Sequence, residues 1–531
     1  MIKYAPAAET VAMLAKSDEM AFLDVREIVP FGTGHPLLAT NLPLSRLELS
    51  VGALLPRAGV RIVITDGGDG QAELAAQRLD RLGYSDVAVL EGGAPAWAGA
   101  GEALFPEIEV PAKGFGGFAE RSGHPTFITP AELDRALHSA EDWCVLDSRP
   151  RAEYRNGNIP GSVNAPGAEL VRCFDDLVPD PSTNVVVNCM SFTRGTLGGL
   201  SLKAAGVPNA VYVLQHGTRG WLLEGLALET NAKRFPGSPS PAAVEKAKGR
   251  ANRIAERAGI ARIDSTELAH WHADPERTTY LFDVRTPAEF AAGHIPGSRN
   301  APEGSIVMSP ERYFAALNAR IVLIDDDTVR ATITALWLAQ MGWGDVAVLK
   351  DGLVGNVLET GPEPTPTVDF SDGLTRRISA AELADYIKVN TVRVIDVGLS
   401  DSYVDGRVPG ALWCSRVRLG AYLRDHPYDG QTVLTTEDGV LACLAANDQS
   451  PPLSNRLLVL AGGNNAWRAA GHELENGPGQ FTSERDDHWL ASSERPGDPR
   501  QNVLDYLAWE LTLLDDIERA NQSPYKNLIW K

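Results

Sequence analysis

One cysteine and the five residues after it are the part of this chain best suited to covalent chemistry. Cys189 closes the apolar run VVVNC and is followed by Met190, Ser191, Phe192, Thr193 and Arg194. The run reads as a strand and the stretch beyond the turn as a helix, so the thiol opens onto a helix N-terminus. Free backbone N–H groups there stabilise an anion, and the reactive form of a cysteine is its thiolate. Arg194 is the only cationic side chain in the loop. Cys189 is therefore expected to titrate below the ordinary cysteine value of about 8.5. An inert buried strand cysteine is the plainer alternative, but a strand-turn-helix setting is the one that activates a nucleophile.

Other residues have weaker claims. Asp147 and Arg149, in VLDSR, read as a structural pair bracing the loop, because DxR recurs at Asp24 and Asp283 where no thiol follows. Arg219, in HGTRGW, is a candidate for the substrate mouth or a plain surface arginine. Cys173 reads as a bystander with a resolving role as the lesser alternative, and Cys144 as a core strand residue. Asp325, Asp326 and Asp327 read as a turn with solvated carboxylates in preference to a cation site. No metal and no cofactor is expected.

The elements that position these residues recur through the chain. FLDVR at Asp24, VLDSR at Asp147, LFDVR at Asp283 and VIDVG at Asp396 are each followed ten residues later by a glycine: Gly34, Gly157, Gly293 and Gly406. A second apolar run ends 42 residues after the aspartate at Asp66, Cys189 and Asp325, and 40 after it at Thr436. Asn41, Asn164 and Asn300 each fall 17 residues after their aspartate, and a third apolar run leads to Trp97, Trp221 and Trp467 in three copies. Repetition at this period fixes the architecture before any propensity is weighed. It also localises the chemistry, since only the second copy ends its second run in a thiol.

Composition bounds the rest. A length of 531 residues, 44% hydrophobic and 22% charged, suits about four globular domains. No apolar stretch approaches the roughly 20 residues that span a bilayer, and the N-terminus reads as lacking a secretory signal. Five cysteines without CxxC or metal spacing fit a reducing compartment, and the cytoplasm is the expected location. A net charge of −20 argues against nucleic acid, so an anionic substrate must be drawn in by a local positive site.

Within each copy, apolar strands alternate with amphipathic helices, which predicts α/β units with a mostly parallel sheet covered by helices on both faces. Pro/Gly/Ser-rich boundaries fall at Val110 to His124, Phe235 to Pro241 and Gly361 to Gly373. The expected units are 1–110, 124–234, 260–361 and 374–477, with a linker helix over 235–259 read as a solvated spacer. A helical tail over 478–531 has an apolar face to bury on a neighbouring repeat or in a homodimer.

The DVR run, the GHIPGS turn, the strand-closing cysteine and the LxGG…W ending resemble the rhodanese domain. In register four times, they resemble a tandem four-domain rhodanese-like sulfurtransferase over about Ala5 to Gly477. The resemblance implies a cysteine that takes sulfane sulfur as a persulfide and passes it to a thiophilic acceptor. Carried over by position, the active loop is Cys189, Met190, Ser191, Phe192, Thr193 and Arg194. It departs from the family's pattern in having Met190 where an Arg is common and Phe192 where a Gly is common. The cradle of N–H donors can also hold the outer sulfur of a persulfide.

The expected function is transfer of sulfur from thiosulfate, or a similar small anionic donor, to cyanide or a thiol. 3-Mercaptopyruvate is the alternative donor, approached through Arg149 or Arg219, and Phe192 is expected to narrow the mouth. A Cys-x5-Arg phosphatase is disfavoured, because Gly195 stands where the clamping Arg is needed. A non-catalytic binding scaffold is the reading from a different class.

Overall fold

Each of the four copies builds its own parallel sheet. The computed structural model describes residues 2–364, 376–449 and 456–530; the boundary read at Gly361 to Gly373 lies largely outside them. In every unit the strands run in the order first, fifth, fourth, second, third. In the second unit these are Thr126–Ile128, Val211–Leu214, Asn184–Asn188, Trp143–Asp147 and Val163–Asn164, all paired parallel. Parallel strands are covered on both faces, which is why Asn184–Asn188 is an unbroken valine run. Val185 and Val187 pack toward Leu170, Leu197 and Leu200, while Val186 packs toward Leu133, Leu214 and Trp221. No helix among the described residues is long and apolar enough to cross a membrane.

The repeated residues are clasps. Arg149 reaches both oxygens of Asp147 (3.0 and 2.7 Å) and donates to the Gly157 carbonyl at 2.6 Å. The same fork joins Arg26 to Asp24 and Gly34, and Arg285 to Asp283 and Gly293. The ten-residue interval is thus the span of one guanidinium tying a strand end to the glycine beyond it. Asn164 Nδ2 donates to the Asp147 and Arg149 carbonyls, as Asn41 and Asn300 do in their units. Trp97, Trp221 and Trp467 each donate to a carbonyl six residues on. In the fourth unit Gly398 replaces the arginine. Asn464 Nδ2 then donates to Asp396 at 2.9 Å, and burial pushes that carboxyl up to about 6.

Three expectations about the connecting segments need correction. The stretch taken as a Pro/Gly boundary at Val110 to His124 forms the helix Val110–Gly123, with Val110, Ala112, Phe115 and Ala119 buried. Its glycines permit contact and do not interrupt it: a Cβ at Gly116 would come within 2.7 Å of Thr193 Oγ1, and one at Gly114 within 2.4 Å of Ile517 Cδ1. The linker Pro241–Ala258 is no solvated spacer, because Ala247, Ala251, Ile254 and Ala255 are buried in the central core. The tail is not wholly helical. Gln480–Phe481 adds a sixth parallel strand to the fourth sheet beside Leu412–Trp413, which carries that unit past 477. The tail helix itself is Pro499–Arg519, with Leu507, Leu513, Leu514 and Ile517 buried.

Candidate active site

Cys189 is the first residue beyond the central strand of unit two, at the end where ligands of parallel sheets bind. It lies at a cavity of about 400 Å³ whose lining includes Met190, Arg194, Arg219, Lys113, Tyr506 and Glu510. The backbone N–H groups of Ser191 and Gly195 face its sulfur, two and six residues on. The other units show what these donors hold. Asp66 accepts from the N–H of Gly68 at 2.8 Å and of Ala72 at 3.0 Å, the same two offsets. Asp325 accepts from Asp327 at 3.2 Å and Ala331 at 3.3 Å, and also from Thr328 and Arg330. Thr436 Oγ1 accepts from Gly439. In units one and three the N–H groups of the turn are taken up by its own aspartate side chain; in unit two they are presented to a thiol.

A second element latches the loop. Thr218 N–H donates to the Cys189 carbonyl at 2.9 Å and Arg219 N–H to the Met190 carbonyl at 3.0 Å. The approach requires glycine beside it: Gly217 has φ +52°, and a Cβ there would lie 2.3 Å from the Cys189 oxygen.

Arg194, the one cationic side chain of the loop, is not free to face a donor. Its guanidinium forks onto Glu153 at 2.7 and 2.8 Å. Unit three repeats the pair at the same 41-residue separation, Arg330 with Glu289. Arg194 thus braces the loop while keeping its charge near the thiol. Phe192 does not narrow the mouth: it is buried and stacks on Phe127, ring centroids 6.5 Å apart at 15°. Thr193 is buried against Gly116, and Asp147 and Arg149 brace one another behind the loop. Arg219 lines the cavity with its guanidinium 4.3 Å from the Tyr506 ring centre. Cys173 donates to Glu169 and lies outside the cavity lining; Cys144 is half-buried in its strand. Asp325 to Asp327 are occupied by backbone N–H groups and by Arg172 and Arg330.

Sequence reasoning missed Lys113, Glu153, Tyr506 and Glu510. Lys113 is buried and donates to the Ile108 carbonyl at 2.7 Å, with its ammonium over the rings of Tyr506 and Trp509. Burial pushes this amine down, but Tyr506, Glu109, Glu510 and Glu107 together hold it above its ordinary value. A signal for Glu510 was present: it is the acid within the buried leucine stripe of the tail helix.

The expectation of a lowered Cys189 pKa is also reversed. Cys189 is 3% exposed. Burial pushes the thiol up, and Arg194 and the Gly195 and Ser191 N–H groups pull it back only in part. Iodoacetamide alkylation of Cys189 is therefore expected to have a midpoint above the ordinary cysteine value, moving further up in Arg194→Ala. A midpoint below that value, or one indifferent to Arg194, contradicts this account.

The rhodanese-like domain family matches residues 7–100, 129–224 and 264–357. The chain belongs to the rhodanese-like domain family. The fourth unit lies outside the matched residues but has the same strand order. The crystal structure of a thiosulfate sulfurtransferase from Pseudomonas aeruginosa is 40% identical, covering 99% of this chain and 100% of that one with a TM-score of 0.95. A curated thiosulfate sulfurtransferase of Pseudomonas aeruginosa is 27% identical over 168 residues, 28% of this chain and 61% of that protein. An HTH-type transcriptional regulator of Mycobacterium tuberculosis is 33% identical over 109 residues, 20% of this chain and 45% of that protein. These matches span about three fifths and under half of the two curated relatives.

Proposed function

We propose that this rhodanese-like chain is a sulfurtransferase with one catalytic centre, Cys189, moving sulfur from thiosulfate to cyanide or a thiol. The Cys189 thiolate attacks the outer sulfur of thiosulfate. The S–S bond breaks, and sulfite leaves with the bonding pair. Cyanide or a thiolate then attacks the terminal sulfur of Cys189–S–S⁻, giving thiocyanate or a new persulfide and returning the thiolate. The observation that carries this reading is the pair of N–H groups on Cys189, at the offsets that hold a carboxylate in units one and three.

For a dianionic donor, Lys113 and Arg219 supply positive charge in the cavity; among the described residues neither is ion-paired with a carboxylate. Arg194→Ala is accordingly expected to affect loop order and thiol acidity more than donor affinity, whereas Arg219→Ala raises KM for thiosulfate. The cavity of about 400 Å³ also leaves room for 3-mercaptopyruvate, and a higher specificity constant for that donor replaces the thiosulfate assignment. The reading is tested by intact mass spectrometry before and after thiosulfate: a gain of one sulfur per chain, located on Cys189, is expected. No gain removes the activity, and two or more removes the single centre.

A further inference from the structure

Pro499–Arg519 turns Leu507, Leu513, Leu514 and Ile517 inward, and an acid stands in the middle of that stripe. Glu510 is 4% exposed. Its Oε1 accepts from Ser191 Oγ at 3.3 Å and lies 3.5 Å from the Tyr506 hydroxyl. Its Oε2 is enclosed and has no hydrogen-bond partner among the described residues. A buried carboxylate oxygen left unpaired is costly, and a leucine at this place in the stripe avoids that cost. Ser191 is also a residue whose N–H faces the Cys189 sulfur, so Ser191 bridges Glu510 and the thiol, and all three line one cavity.

We propose that Glu510 is the general base that takes the proton of a thiol acceptor as it attacks the Cys189 persulfide. The proposal rests on the sulfurtransferase reading above. An ordinary thiol, with a pKa of about 8.5, is mostly protonated at neutral pH and must lose its proton to react. That proton passes to the Glu510 carboxylate while the thiol sulfur bonds to the terminal sulfur of Cys189–S–S⁻. The old S–S bond breaks, its electron pair stays on Cys189 as thiolate, and the acceptor leaves as R–S–S⁻. Glu510 then loses its proton to solvent.

The groups facing Glu510 are Tyr506 on its own helix, Lys113 on Val110–Gly123, Cys189 on the loop and Arg219 on Gly217–Leu223. Burial raises its carboxyl, and Lys113, the Ser191 hydroxyl, Arg219 and Tyr506 lower it by less. The result sits above the ordinary glutamate value, on the side that suits a base working near neutrality.

The test is single-turnover discharge of persulfide-loaded enzyme by 2-mercaptoethanol across pH, followed as loss of the sulfur by mass spectrometry. Glu510→Gln is expected to slow discharge about a hundredfold near neutral pH. The deficit closes as pH approaches the thiol's own pKa, where the acceptor ionises unaided. Glu510→Asp is expected to recover part of the rate. A deficit that is constant across pH, or no deficit, overturns the assignment. Should Glu510→Gln not fold, the wild type decides: its rate must level off below the thiol pKa, and a rate first-order in hydroxide throughout overturns the base. Wild type that takes no sulfur from thiosulfate overturns both this proposal and the function beneath it, whereas loaded enzyme with a pH-independent deficit removes only Glu510.

Discussion

Cys189→Ser is expected to lower sulfur transfer by at least about a thousandfold and to leave no persulfide on the chain after thiosulfate. Asp66→Ala and Thr436→Ala are expected to keep turnover within about twofold. The contrast follows from what each side chain does in the same turn. Asp66 satisfies the Gly68 and Ala72 N–H groups at a buried site outside the cavity lining. Removing it strands two donors at about 1–3 kcal/mol each, which lowers the melting temperature without touching the reacting atoms. Cys189 satisfies the equivalent donors with the atom that forms and breaks the S–S bond. Turnover, persulfide count and melting curve on the three variants check this together. Residual transfer in Cys189→Ser, or a persulfide remaining on that variant, places the chemistry on another thiol.

The repeat was legible because each of its marks is a local clasp of fixed length. A guanidinium reaching from Asp147 to Gly157 has one span, so the interval recurs in the three units that keep the arginine, and in the fourth Asn464 bridges Asp396 and the Gly406 carbonyl over the same span. Cys189 was legible because its loop is short and the N–H groups that face its sulfur, those of Ser191 and Gly195, are close to it in sequence. The pair of Arg194 with Glu153 was readable in principle, since Arg330 and Glu289 repeat its separation, but one ion pair in a field of charged residues gives no pattern by itself. Tyr506 and Glu510 come to the thiol only through the docking of the tail helix onto Val110–Gly123, and Lys113 only through the packing of Val110–Gly123 against the helix Thr193–Ala205. These contacts depend on glycines whose ordinary meaning is a chain break: here Gly114 faces Ile517 of the tail helix and Gly116 faces Thr193. The reversal of the Cys189 pKa has the same origin. A loop read alone is open to water, whereas here Gly217–Leu223, Val110–Gly123 and Tyr506 and Glu510 of the tail surround it.

Deleting residues 484–531, which keeps the sixth strand of the fourth sheet, is expected to destabilise the protein and open the site at once. The segment buries Leu507, Leu513, Leu514, Ile517 and Ile529. At about 1.5–3 kcal/mol for each side chain, that is on the order of 10 kcal/mol, an upper figure because unfolded chains already hide some apolar surface. A loss of that size is comparable with the whole stability of a typical domain, so the first melting transition should fall by at least about 10 °C. The chemical consequence has a definite sign. Burial is the first cause of the raised Cys189 thiol, and Glu510 raises it further. Removing Glu510 and the tail's share of that burial while Arg194 and the Ser191 and Gly195 N–H groups remain should move the alkylation midpoint down and speed the reaction at neutral pH. Thiol-dependent turnover should fall all the same, since Tyr506 and Glu510 leave with the segment. A faster-alkylating, less active protein distinguishes loss of the wall from simple unfolding, in which all five cysteines would alkylate alike. An unchanged melting curve with unchanged alkylation would falsify the role given to the tail.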